Sequence, residues 1–135
     1  ITLDTVAAIA AAQPESDRFI VEGAGGVYVP LNDSQFMLDV MHLLALPVVV
    51  VSRSTLGTIN HTLLTLAALR ARQLTVAGVI MNGPLNDDNR RAIETYGEAE
   101  VLAQVPAFDC VSRDTLVRIA SLIDPQGRLL ESALA

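Results

Sequence analysis

Short apolar runs alternate along the chain with longer stretches in which apolar residues recur every three or four positions. Over residues 2–12, Val6, Ile9 and Ala10 fall on one face, and Asp4 sits in the first turn, where a helix dipole favours an acid. The polar break Gln13-Pro14-Glu15-Ser16-Asp17 ends that helix, and the apolar run over 18–21 predicts a first strand. Val27-Tyr28-Val29-Pro30-Leu31 reads as extended, and Asn32-Asp33-Ser34 offers side-chain oxygens to cap a helix over 35–44, with Phe36, Val40, Leu43 and Leu44 toward the core. Val48-Val49-Val50-Val51 is β-branched on both faces, as a strand covered on both sides requires. A long helix is expected over 58–72, with Ile59, Leu63, Leu66 and Ala67 on its inner face. A buried strand over 75–81, a helix over 87–96, a short strand over 101–106 stopped by Pro106, and a last helix over 112–123 complete the pattern. Asp124-Pro125-Gln126-Gly127 reads as a turn, and the apolar tail beyond it is unassigned.

Alternation of strand and helix argues for an α/β fold in one domain, with a mainly parallel sheet and helices on both faces. Ligands of such sheets lie at the carboxyl ends of the strands. That edge is expected to carry Glu22 with its glycines, Ser52 to Gly57, Asn82 to Pro84, and Pro106 onward. Glu22 closes an apolar run and is followed by Gly23-Ala24-Gly25-Gly26, a stretch that lets backbone turn tightly and approach a ligand. A solvated acid in a tight turn is the plainer alternative. The first turn of the long helix, Thr58 to His61, holds free N–H groups that suit an anion, with ordinary capping as the alternative. Asn82 directly follows a strand; a turn residue explains it, and an amide there could also read a base edge. His42 has no cysteine or second histidine at metal-ligand spacing and reads as an ordinary helix histidine. Neither G-x-G-x-x-G nor G-x-x-x-x-G-K-[ST] occurs, so nothing in the chain evidently grips a triphosphate.

Composition narrows the function classes. The 135 residues are 51% hydrophobic, enough for a core, yet no apolar run approaches the ~18 residues of a spanning helix. A net charge of −6 and 4% aromatics disfavour nucleic acid and anionic membranes as partners. A single cysteine, Cys110, cannot form an internal disulfide and fits a reduced, cytoplasmic protein.

Several segments together carry a family resemblance. Val21-Glu22-Gly23-Ala24-Gly25-Gly26 with Pro30-Leu31, Pro47-Val48-Val49-Val50-Val51, Leu56-Gly57-Thr58-Ile59-Asn60-His61-Thr62-Leu63-Leu64-Thr65, and Val105-Pro106 resemble the carboxyl-terminal half of dethiobiotin synthetase. The resemblance implies a P-loop NTPase-like fold that is incomplete here, a single partial domain over 1–135. The family's phosphate loop, catalytic lysine and second magnesium-binding acid have no counterpart in the chain, so these residues alone should not turn over. It implies an ATP- and Mg2+-dependent ligase of biotin synthesis, in which an amine of 7,8-diaminopelargonate adds CO2, ATP phosphorylates the carbamate, and the second amine closes the ureido ring. Glu22 would hold Mg2+, and Gly23, Ala24 and Gly25 would line the phosphate and substrate region. Asn82 with Gly83, and Pro106, Ala107 and Phe108, would meet the adenine. Gly57, Thr58, Ile59 and Asn60 would receive the substrate carboxylate across a homodimer interface. Ala103-Gln104 departs from the family's usual Gly-Glu. A cobyrinate-type amidotransferase synthetase, or a non-catalytic nucleotide-binding or dimerisation fragment, are the alternatives.

Overall fold

A computed structural model describes residues 1–14 and 20–123. The chain forms α1 (Leu3–Ala11), α2 (Met37–Leu44), β1 (Val48–Arg53), α3 (Thr58–Ala71), β2 (Val76–Asn82), α4 (Asp87–Gly97), β3 (Val101–Val105) and α5 (Arg113–Ile123). The strands make a parallel sheet in the order β1-β2-β3, so the α/β class and the parallel pairing expected from the alternation are both present. Arg53 pairs with Asn82 and Asn82 with Val105, which puts the carboxyl ends of all three strands in one row.

Sequential parallel strands need right-handed crossovers, which place α3 and α4 on the same face of the sheet. The two helices pack on each other there, with α3 against β1 and β2 and α4 against β3. Between them and the sheet lies the core: Leu66 and Leu69 of α3, Ile93 of α4, Val79 and Met81 of β2, and Val101 of β3 are almost wholly buried. Two glycines make this closeness possible. A Cβ on Gly97 would stand 2.8 Å from Leu66 Cδ1, and one on Gly78 would stand 2.6 Å from Leu102 Cγ on the neighbouring strand. Arg70 reaches from α3 to the end of α4 and donates to the carbonyls of Gly97 and Glu98 at 2.5 and 2.9 Å, placing a cation where the helix dipole is negative.

The amino-terminal part is a second layer of contacts. Helices α1 and α2 pack together, the Leu38 N–H donates to Val27 O at 2.9 Å, and the Phe36 N–H donates to the Asp39 carboxylate at 2.8 Å to cap α2. Asp39 also pairs with Arg72 at the end of α3, a partly exposed ion pair that fixes geometry more than it adds stability.

Four expectations need correction. The strand over 18–21 falls partly outside the described residues, and its described part, Ile20 and Val21, is unpaired and 93% and 46% exposed. Apolarity does not specify a ladder partner, and Ile20 and Val21 lie beside α1 and α2. β1 is covered on one side among the described residues, since Val50 is buried while Val49 and Val51 are 42% and 66% exposed. The inner face of α3 is Thr58, Thr62, Leu66, Ala68 and Leu69, rotated from the expected one because two threonines belong to it; Ala67 is exposed. In α2 the buried residues are Leu38 and Val40, whereas Leu43 is largely exposed and Phe36 precedes the helix and meets the Tyr28 ring edge-on. The turn and tail after residue 123 lie outside the described residues.

Leu66 has no exposed surface and Leu64, two positions away, is 61% exposed. Leu66→Ala should therefore lower unfolding stability by about 2–5 kcal/mol, and Leu64→Ala by less than about 0.5 kcal/mol. Urea unfolding of the two variants compares these directly.

Candidate functional site at the carboxyl ends of the strands

Each parallel strand ends in a loop, and the loop after β2 is stitched to the loop after β1 on one side and to the end of β3 on the other. Ser54, just beyond β1, is 5% exposed. Its N–H donates to Asn82 O at 3.1 Å and its hydroxyl donates to Pro84 O at 2.5 Å. From the other side the Gly83 N–H donates to Val105 O of β3 at 2.9 Å. Gly83 has φ +133, and a Cβ there would stand 2.8 Å from the Ser54 hydroxyl, so both backbone and space demand glycine.

The loop continues into α4 under the control of β3. Gln104 accepts the Asn86 N–H at 2.8 Å through its amide oxygen and donates from its amide nitrogen to Asp87 Oδ1 at 2.9 Å. Asn86 then caps α4 by accepting the Asn89 N–H at 2.9 Å. The departure at Gln104 thus has a physical use, because a glutamate could not donate to Asp87.

At the start of α3, Gly57 adopts φ +90, and a Cβ there would lie 3.4 Å from His61 Cε1. The Thr58 N–H is held by Thr55 O at 3.1 Å and the His61 N–H by Gly57 O at 3.0 Å, while those of Ile59 and Asn60 meet no backbone carbonyl among the described residues. Among the described residues the hydroxyl of Thr58, buried at this helix start, meets no hydrogen-bond partner, and neither do those of Thr62 and Ser52. Free donors at a positive helix end favour a small anion or carboxylate.

Pro106 and Phe108 are half-buried beyond β3, Ala107 is exposed, and the Arg118 guanidinium of α5 lies 5.8 Å from the Phe108 ring centre. Asn82 is exposed as the last residue of β2. The structure therefore gathers Gly57 to Asn60, Asn82 with Gly83, and the segment from Pro106 at the three strand ends.

Glu22 is placed differently. It is exposed and lines a shallow groove with Val6, Ile9, Ile20, Val21 and Leu44, between its own segment and the first two helices, and it does not end a strand. Packing accounts for two of the glycines after it. A Cβ on Gly23 would lie 3.0 Å from Met37 Cγ, and one on Gly25, at φ +81, would lie 2.7 Å from Val29 Cγ2; Ala24 is exposed. Among the described residues no three or more histidine, cysteine, aspartate or glutamate side chains cluster as a metal site, and no helix is long and apolar enough to cross a membrane.

The parallel sheet, the sequential crossovers and a polar edge at the strand ends define an α/β domain of the P-loop NTPase kind. The sequence model of a family described as AAA domain matches residues 1–115, and the chain belongs to that family. A biotin biosynthesis bifunctional protein BioCD of Bordetella avium is 61% identical over 92 residues, 68% of this chain and 20% of that protein. ATP-dependent dethiobiotin synthetases BioD of Lawsonia intracellularis and Neorickettsia sennetsu are 47% and 44% identical over 106 and 126 residues, covering 78% and 90% of this chain. The chain spans about half the length of those two synthetases, 52% and 50%. The resemblance to dethiobiotin synthetase carried by the motifs is thereby borne out.

Ser54 lies within the 52–57 loop expected at this edge and Gln104 stands out only as a departure; the contacts that either makes are not legible in the chain. A lone loop serine carries no periodic signal; the clue was Gly83 before Pro84, a backbone too tight for a side chain. Gln104→Glu should destabilise the protein by about 1 kcal/mol, since it removes a donor and sets two carboxylates side by side. Adding Asp87→Asn should recover part of that loss, and a double-mutant cycle in urea measures the coupling.

Proposed function

We propose that this chain supplies the base-binding and substrate-binding part of a cytoplasmic, homodimeric ligase that makes dethiobiotin from 7,8-diaminopelargonate, CO2 and ATP, a step of biotin synthesis. The observation that carries this reading is the stitched row of strand ends, with an open helix start on one strand's loop and an exposed asparagine on the next. A side-chain amide at Asn82 both donates and accepts, which matches the amino group and ring nitrogen of adenine. Gly83, Pro106, Ala107 and Phe108 offer backbone and flat apolar surface beside it. The N–H groups of Ile59 and Asn60, with Gly57 and Thr58, suit the substrate's carboxylate, which carries a full charge and gains from the helix dipole. In the dimer this helix start would serve the partner's site.

Glu22 fits one part of a magnesium site. Mg2+ is usually held by one or two carboxylates together with phosphate oxygens and water, so an exposed carboxylate can serve as one of its ligands. When bound, the ion would neutralise charge on the transferring phosphoryl group. Gly23, Ala24 and Gly25 lie next to Glu22, where a short backbone can approach phosphate. This chain's own part in the reaction is to hold the base in its own site and the substrate carboxylate in its partner's.

Kinetics of the whole protein test these assignments. Asn60→Ala leaves the backbone N–H in place and removes the amide side chain beside it, so KM for the diamino acid should rise by about three- to tenfold, with KM for ATP changed less than about twofold. Glu22→Gln should lower kcat by a few orders of magnitude with little change in thermal midpoint. Near-normal turnover of the Gln variant at limiting magnesium would contradict the metal role, and equal effects of Asn60→Ala on both substrates would contradict the carboxylate role.

A further inference from the structure

We propose that Ser54 is a positioning residue for base recognition: it holds Asn82 to Pro84 in the shape that presents Asn82 to the nucleotide. The inference rests on the reading above that this segment meets the base. Ser54 itself belongs to the loop that leads to the substrate end of the site.

Ser54 commits both of its hydrogen-bonding donors to one short segment. Its N–H takes Asn82 O and its hydroxyl takes Pro84 O, so the two carbonyls that bracket Gly83 are held by a single residue. Proline has no N–H, and its carbonyl is therefore the one backbone group by which the segment can be held at position 84. Gly83 is drawn the other way, by Val105 O of β3. A three-residue segment pulled from both neighbouring strands has little freedom left, and its first residue carries the exposed amide.

Gly83 and Ser54 are also matched in shape. The space a Cβ at Gly83 would need is 2.8 Å from the Ser54 hydroxyl, so the serine occupies the room that the glycine leaves. Removing the hydroxyl leaves Pro84 O without its partner and opens a gap beneath Gly83. The segment then has alternatives to its present path, and an amide that must meet two atoms of a base edge loses alignment before it loses proximity. Ser54 is almost fully buried, so a ligand meeting Asn82 need not touch it.

The test uses the whole protein and compares ATP with inosine triphosphate, which replaces the 6-amino group by a carbonyl. Ser54→Ala should raise KM for ATP and lower the kcat/KM preference for ATP over inosine triphosphate by about two- to tenfold, with kcat and KM for the diamino acid within about twofold. Gly83→Ala, which pushes a methyl at the same hydroxyl, should lower the preference likewise. Asn82→Ala is the control and should abolish it. If Asn82→Ala abolishes the preference while the Ser54 and Gly83 variants keep it, the positioning role is wrong and the base reading stands. If Asn82→Ala keeps the preference, the base is read elsewhere and the Ser54 role falls with it. A Ser54→Ala protein that only melts earlier, with the preference intact, would mark the serine as structural and overturn the proposal.

Discussion

The backbone hydrogen bonds that β2 makes to strands on both sides are the constraint on which the remainder of the molecule depends. Because β1, β2 and β3 run parallel and follow one another in space as in sequence, each must be reached by a helical crossover, and α3 and α4 are those crossovers. The same pairing brings Arg53, Asn82 and Val105 into one row. Core and site are consequences of a single arrangement: the helices bury Leu66, Leu69 and Ile93 against the sheet, and the loops that launch them meet at its edge.

That edge is held by short-range polar contacts of a kind a loop rarely has. Ser54 grips the second loop from the first, Gly83 grips the third strand from the second, and Gln104 grips the second loop again from the third strand. Buried backbone groups are expensive to leave unpaired, so each grip also satisfies a carbonyl or N–H that the end of a strand would otherwise strand. At the start of α3 the N–H groups of Ile59 and Asn60 meet no backbone carbonyl among the described residues. Open donors at a helix start suit an anionic ligand.

Much of this was legible in the chain, for identifiable reasons. β-branched runs such as Val48-Val49-Val50-Val51 specify strands, and the helices announced themselves by period and by capping residues; α1, α3, α4 and α5 fall within one or two residues of expectation. Which face of α3 turns inward was not legible, since Thr58 and Thr62 are buried and a hydropathy pattern counts threonine as polar. The run ending at Glu22 misled in another way: Ile20 and Val21 lie beside α1 and α2, and apolarity says nothing about a ladder partner. Asn82, Gly83 and Gly57 were visible as candidates because turns after strands and glycines before helices have few physical explanations. Ser54 and Gln104 were hidden because their importance lies in partners 30 and 18 residues away.

The central claim is that the strand ends carry two subsites, one for the base and one for a carboxylate. Hydrogen exchange of the whole protein tests it most directly. A non-hydrolysable ATP analogue with magnesium should slow exchange at residues 82–86 and 105–108, and the diamino acid should slow it at residues 58–61. Protection by the nucleotide confined to the groove beside α1 and α2, with the strand ends unchanged, would contradict the account.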